Sequence, residues 1–138
     1  MDSRTPTTGL SARRYRSFTL HARFLGAALV VSLFGCGGAD NRPARWSFIQ
    51  PAIVEPSCAT VSCHSTVTDR AGVTLEPRQT AYQTLLDRHF VVQGHPELSE
   101  MVALMRAQGS QRMPPDFALP EVDIALIEQW ITNGANDD

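Results

Sequence analysis

The stretch CATVSCH, from Cys58 to His64, decides how the rest of this chain is interpreted. It contains two cysteines and places a histidine directly after the second one. This order is typical of covalent haem attachment, in which two thiols add across the vinyl groups and the adjacent imidazole reaches the iron. Four residues separate these cysteines, whereas the usual motif has two, so a wider turn must bring both sulfurs to the porphyrin edge. We predict that Cys58 and Cys63 are the tethers and that His64 is the proximal ligand.

The second axial ligand is expected well downstream, and Met113 fits this position. Pro114 and Pro115 follow it, and both have a fixed φ and no amide hydrogen, while Pro114 also biases Met113 away from helix. A rigid extended loop of this kind suits a thioether laid across a haem face. His89 and His95 are alternatives to Met113, because an imidazole in its place would give a bis-histidine haem of lower potential.

Four stretches follow one another in the order found in a small class I cytochrome c: CATVSCHS, VVQGHPELSEMVALM, RMPP and EVDIALIEQWITNGA. On these motifs the chain resembles the class I c-type cytochromes over about Trp46 to Ala135, and more narrowly the single-haem cytochrome c-like lipoproteins of Gram-negative bacteria. The resemblance implies an all-α, small cytochrome c-like fold with three to four helices wrapped around one haem. It also implies an electron carrier rather than an enzyme. The residues that it implies as haem c ligands and tethers are Cys58, Cys63, His64 and Met113.

Apolar periodicity predicts the helices of this domain. A short first helix carries Phe48, Ile49, Ala52, Ile53 and Val54, with Pro51 in its first turn. A second runs from Thr80 to Arg88, and Pro96 opens a third whose apolar side holds Leu98, Met101, Val102 and Met105. The last helix spans about Pro120 to Asn133, with Ile124, Ile127, Trp130 and Ile131 at helical spacing and Gly134 just past its end. We expect it to cross the first helix over the haem edge.

The N-terminal segment has the form of a bacterial lipoprotein export signal. Arginines precede an apolar run from Phe24 to Phe34, which is too short to span a membrane, and Gly35 and Cys36 follow. We predict a signal peptide over 1–35, a lipid on Cys36 with a tether over 36–45, and a cytochrome domain over 46–135. Ordinary secretion with a free Cys36 is the alternative. The expected location is the cell envelope, facing the periplasm, and the absence of aspartate after Cys36 favours the outer membrane.

The net charge of the predicted mature chain indicates which kinds of binding partner to expect. The chain after the predicted cleavage site has seven basic and thirteen acidic residues, a net charge of −6, and the whole sequence has no lysine. Nucleic acid is therefore not an expected partner. Redox proteins of the cell envelope with a positive or apolar docking surface are expected instead, together with the membrane through the lipid.

Three other interpretations of the cysteine motif stay open on the sequence alone. Cys58 and Cys63 could form a disulfide in an oxidising periplasm, which would make the chain a haemless interaction lipoprotein. The same cysteines and His64 could bind zinc, although no second pair of ligands follows at finger-like spacing. A labile Met113 would leave an open iron, as in a haem-based gas sensor or a peroxidase-like protein.

Overall fold

Four helices joined by loops and short 3₁₀ turns make up the computed structural model over residues 40–138, which is the part of the chain that the structure describes. No residue in this range belongs to a β-strand, which confirms the predicted all-α fold. We number the helices in chain order. Helix α1 consists of Trp46–Ile49, Gln50–Val54 and Glu55–Cys58, α2 is Arg78–Asp87, α3 is Glu100–Arg106, and α4 is Glu121–Thr132.

Helix α1 has a π-helical middle section at Gln50–Val54. Pro51 has no amide hydrogen, so the α-helical bond to the carbonyl of Ser47 cannot form. The ladder widens instead, and the amide of Glu55 donates to the carbonyl of Gln50, five residues earlier. Our prediction that Pro51 lies in the first turn was wrong, because the helix already begins at Trp46. Ala52 was also misplaced, since it is exposed.

The core forms where α1 packs against α4. The indole rings of Trp46 and Trp130 stack with centroids 4.8 Å apart and planes 22° from parallel. All four apolar positions predicted for the last helix are buried, as is Leu126. Offset stacking of two large rings adds to the free energy of their burial. The contact of the first and last helices is therefore part of the hydrophobic core of the domain.

Helix α3 begins later than the sequence predicted. Pro96–Leu98 form a 3₁₀ turn, Ser99 is extended, and the α-helix starts at Glu100. Leu98 is consequently 64% exposed and does not share the apolar side, whereas Met101, Val102 and Met105 are buried as predicted. The second helix differs only at its ends, since α2 begins at Arg78 and ends at Asp87.

The two ends of the domain are fastened to the helices. Arg42, in the segment predicted as a tether, forms ion pairs with Asp123 of α4 and with Asp40. At the other end, the Asp138 carboxylate accepts from the amide of Trp46, and that of Asp137 pairs with Arg78. The predicted signal peptide and Cys36 lie outside the described residues. Within residues 40–138, no helix has the length and apolar character that crossing a membrane would require.

Candidate functional site

A cavity of about 300 Å³ lies beside the CATVSCH turn. It has a volume at the lower end of the range for ligand pockets in proteins, and its wall is mostly apolar. Leu75, Leu85, Phe90 and Leu104 supply much of that wall. The residues that the sequence singled out come together here, because Cys58, Cys63, His64 and Met113 all line the cavity.

The extra residues of the motif form a turn that projects away from the cavity. The amide of Cys63 donates to the carbonyl of Thr60 at 2.8 Å, and the amide of His64 donates to the carbonyl of Cys58 at 3.1 Å. The second bond closes the loop. Ala59 is buried in the core, whereas Thr60, Val61 and Ser62 bulge outward and Val61 is 75% exposed. The hydroxyl of Thr68 donates to the carbonyl of Val61 and holds the bulge. Both cysteines therefore reach one cavity despite the wider spacing.

The two thiols have different surroundings. Both cysteines are free, so the structure has no disulfide between them. Burial, and secondarily the nearby Cys63, raises the pKa of Cys58 to about 12. Hydrogen bonds from Thr60 and Ser62 lower the pKa of Cys63 below its ordinary value. At neutral pH, Cys58 is a protonated thiol inside the wall, and Cys63 is the more readily ionised of the two.

The imidazole ring of His64 is oriented by a hydrogen bond to the backbone of Val73. Its Nδ1 lies 3.1 Å from the carbonyl oxygen of Val73. A carbonyl oxygen only accepts, so Nδ1 carries the proton and donates. Nε2 is then the basic nitrogen, and no described residue forms a hydrogen bond with it. This is the tautomer that a histidine needs in order to bind a metal through Nε2.

Hydrogen bonds of Met113 and of the preceding Arg112 fix the loop that carries the methionine. Its amide donates to the carbonyl of Leu104 at 3.0 Å, which ties the loop to the end of α3. The guanidinium of Arg112 donates to the carbonyls of Pro114 and Pro115, at 3.3 Å each. The Met113–Pro114 peptide is cis. These contacts place the methionine at the cavity wall by backbone bonds rather than by side-chain packing alone.

The two alternative histidines lie elsewhere. His89 and His95 are exposed, and neither lines the cavity. Nδ1 of His95 lies 3.0 Å from a carboxylate oxygen of Glu97, two residues along the chain. No group of three or more His, Cys, Asp or Glu side chains within residues 40–138 is arranged to hold a metal ion.

Sequence reasoning missed the segment that forms one rim of the cavity. Arg70 and Ala71 line the cavity, and Ala71 has a left-handed φ of +58°. The guanidinium of Arg88 donates to the carbonyls of Ala71 and Gly72, and it lies over the ring of Phe90 at 5.7 Å. Only Gly72 gave a turn signal in the sequence, and nothing there linked it to Arg88.

Residues 61–116, less than half of the chain, match the model of a family described as Planctomycete cytochrome C. The matched segment contains Cys63, His64 and Met113, whereas Cys58 lies just before it. The match supports a cytochrome c-like family for this chain. Such a family suggests covalently bound haem c and a role in electron transfer as a carrier. No curated protein and no solved structure gave a significant match.

Proposed function

We propose that this chain is a periplasm-facing electron carrier of the cell envelope with one covalent haem c. The observation that carries the proposal is that the thiols of Cys58 and Cys63, the imidazole of His64 and the thioether of Met113 all line a single, mostly apolar cavity. When bound, the haem supplies an iron that gains and loses one electron. The residues that would hold it are Cys58 and Cys63 as tethers, with His64 and Met113 as axial ligands.

The donor set of this cavity fits a haem. His64 presents a basic Nε2, because Nδ1 is engaged by the carbonyl of Val73. Donation from Nδ1 also fixes the orientation of the ring and makes it a stronger electron donor to a metal. The mostly apolar wall of the cavity would limit the contact of a bound iron centre with water, which favours its reduced, less charged state.

The way Met113 is fixed supports an electron carrier over a gas sensor or a peroxidase-like protein. Either of those functions needs an open or labile axial position on the iron. The hydrogen bond from the amide of Met113 to the carbonyl of Leu104 and the two hydrogen bonds from the guanidinium of Arg112 restrain the loop instead. The exposure of His89 and His95 likewise supports methionine over a second histidine.

The cellular setting of the proposal rests on the sequence. We propose cleavage before Cys36, a lipid on that cysteine, and an outer-membrane location. Redox proteins of the envelope would exchange electrons with the domain, and its excess of acidic residues favours partners with a basic or apolar docking surface.

The experiment that tests the function combines intact mass with a reduced-minus-oxidised visible spectrum. The protein is produced in a host whose haem-attachment machinery accepts a four-residue spacing. We expect a mass increase of one haem that survives denaturation and a low-spin spectrum in both oxidation states. Protein lacking haem and two thiol hydrogens would establish the disulfide scaffold and reject the electron carrier.

The chain offers a matched control for the axial methionine. Met105 also lines the cavity but belongs to helix α3. We expect Met113→Leu to abolish the low-spin spectrum while Met105→Leu retains it. Retention of that spectrum in Met113→Leu would reject Met113 as the ligand, and a second spectrum of His89→Ala and His95→Ala would then identify the alternative.

A further inference from the structure

Gln50 is a buried polar residue on the side of α1 that faces the histidine segment. Its side chain is almost fully buried, at 2% exposure for the residue. The amide nitrogen Nε2 donates to the carbonyl of Leu75 at 3.2 Å and to a carboxylate oxygen of Glu55 at 3.0 Å. Burial of an amide is costly unless its hydrogen bonds are made, so the position of Gln50 is tied to both partners.

Leu75 belongs to the segment that holds His64. The amide of Leu75 donates to the carbonyl of His64 at 2.8 Å. Two residues earlier, the carbonyl of Val73 accepts from the imidazole Nδ1 of the same histidine at 3.1 Å. The segment from Val73 to Leu75 is therefore hydrogen-bonded to both the backbone and the ring of His64, and Gln50 is hydrogen-bonded to the same segment through the carbonyl of Leu75.

The π-helical section of α1 makes the double contact of Gln50 possible. In an α-helix, residues five apart lie about 140° apart around the axis, because each residue turns by about 100°. Gln50 and Glu55 would then point to different sides. The wider turn of Gln50–Val54 brings them close enough for a 3.0 Å bond. The carboxylate thus fixes the amide so that its second hydrogen points at Leu75.

We propose that Gln50 is a positioning residue that sets the orientation and electron donation of His64 through the Val73–Leu75 segment. The inference rests on the proposed function, because it assigns His64 as the axial ligand of a haem. Without the amide of Gln50, the carbonyl of Leu75 loses its partner, and the segment loses one of the bonds that hold it in place. The bond from Nδ1 to Val73 then weakens, the imidazole becomes a weaker electron donor, and an oxidised iron bound to it would be less stabilised. The reduction potential rises.

The test compares Gln50→Met with Tyr82→Phe in the haem-loaded full chain. Methionine keeps the length of the side chain but removes its donor. Tyr82→Phe is the matched control, because it also deletes one bond to a backbone carbonyl, that of Ala135 at 3.0 Å, and Tyr82 does not line the cavity. Two quantities are measured: the reduction potential, and the solvent exchange rate of the Nδ1 proton of His64 by NMR in the reduced, diamagnetic protein.

For Gln50→Met we expect the redox equilibrium to shift about threefold toward the reduced form, a rise of about 28 mV at 59 mV per tenfold. We also expect the Nδ1 proton to exchange at least about tenfold faster. Tyr82→Phe should change neither quantity. An unchanged potential and exchange rate in Gln50→Met, or equal changes in both variants, would overturn the proposal and leave Gln50 a purely structural residue.

A second variant decides the matter if Gln50→Met does not fold. Glu55 is exposed, so Glu55→Ala should fold, and it releases the amide of Gln50 from one of its two partners. We expect smaller shifts of both quantities in the same direction, and no shift would overturn the proposal. Failure of the wild-type chain to carry haem would instead reject the proposed function, which separates the two failures.

Discussion

Replacing Ser99 by alanine should destabilise the domain by more than an ordinary helix cap would explain. Ser99 is 1% exposed and precedes α3, yet its side chain makes no bond to that helix. Its hydroxyl accepts from the amide of Val92 and donates to the carbonyl of His95, at 2.9 Å each. It therefore joins α3 to the loop between Phe90 and the 3₁₀ turn, and Phe90 forms part of the cavity wall.

The size of the effect follows from what each partner retains. In Ser99→Ala the carbonyl of His95 keeps its bond from the amide of Leu98 at 3.2 Å, whereas the amide of Val92 loses its acceptor. One unsatisfied amide costs about 1–3 kcal/mol, and the lost bond to His95 adds about 0.5–1.5 kcal/mol. Because Val92 is only half-buried, we expect about 2 kcal/mol in all. For a domain of this size that lowers Tm by roughly 8–16 °C.

Urea denaturation followed by circular dichroism measures this loss as a lower midpoint at unchanged slope. Ser110→Ala is the control, because Ser110 is exposed, and a surface change of this kind stays within about 0.5 kcal/mol. Ser99→Gly separates our argument from simple capping, since glycine replaces serine at an N-cap for only a few tenths of a kcal/mol. A Ser99→Gly variant about as stable as the wild type would refute the reasoning.

Three further predictions follow from single contacts. Ala71→Gly should stabilise the domain by about 0.5–1 kcal/mol, because Ala71 has a φ of +58°, which glycine adopts without strain. Ala103→Gly in α3 should instead destabilise the domain by about 1 kcal/mol. Denaturation curves that show the same sign of change for both variants would contradict this. Because its pKa is about 12, Cys58 of the folded, haem-free full chain should react with iodoacetamide at pH 8 about 40-fold more slowly than the same cysteine in urea. The smaller thiolate fraction slows the reaction, and the higher nucleophilicity of the thiolate offsets part of this decrease. Equal rates of alkylation, measured by mass spectrometry, would exclude a buried thiol. The hydrogen-bonded Arg106 lowers the pKa of Glu121 below its ordinary 4.5. This ion pair therefore stabilises the domain above about pH 4.5, and the stabilisation is lost as pH falls through the lowered pKa. We expect Tm to drop less between pH 6 and pH 3 in Arg106→Gln than in the wild type.

The sequence was sufficient for those parts of the fold that depend on local periodicity. Helix α4 shows this most clearly, because the four apolar residues predicted for its inner side, Ile124, Ile127, Trp130 and Ile131, recur at helical spacing and are all buried. The sequence also indicated Cys58, Cys63, His64 and Met113, which are among the residues that line the cavity, since haem attachment restricts which residue types stand in which order.

Backbone interruptions could not be predicted in the same way. Pro51 was correctly placed within a helix, but the sequence could not show that the ladder would widen around it rather than begin at it. The late start of α3 has a similar cause, because the buried hydroxyl of Ser99 binds the preceding loop instead of capping the helix. In both places the hydrogen bonds of individual residues decide the backbone conformation, and apolar periodicity does not report such bonds.

The spacing of the cysteines shows why a motif count alone underdetermines a site. Counted along the chain, four intervening residues would separate two tethers by more than the usual motif allows. In the structure the bond from the amide of His64 to the carbonyl of Cys58 closes the loop, and Thr60, Val61 and Ser62 project outward while Ala59 is buried. The geometry presented to the cavity is thus set by the closing bond and not by the number of residues in the bulge. It follows that a variant spacing and the usual one can serve the same chemistry when the turn between the cysteines can bulge outward and a side chain such as Thr68 holds it there.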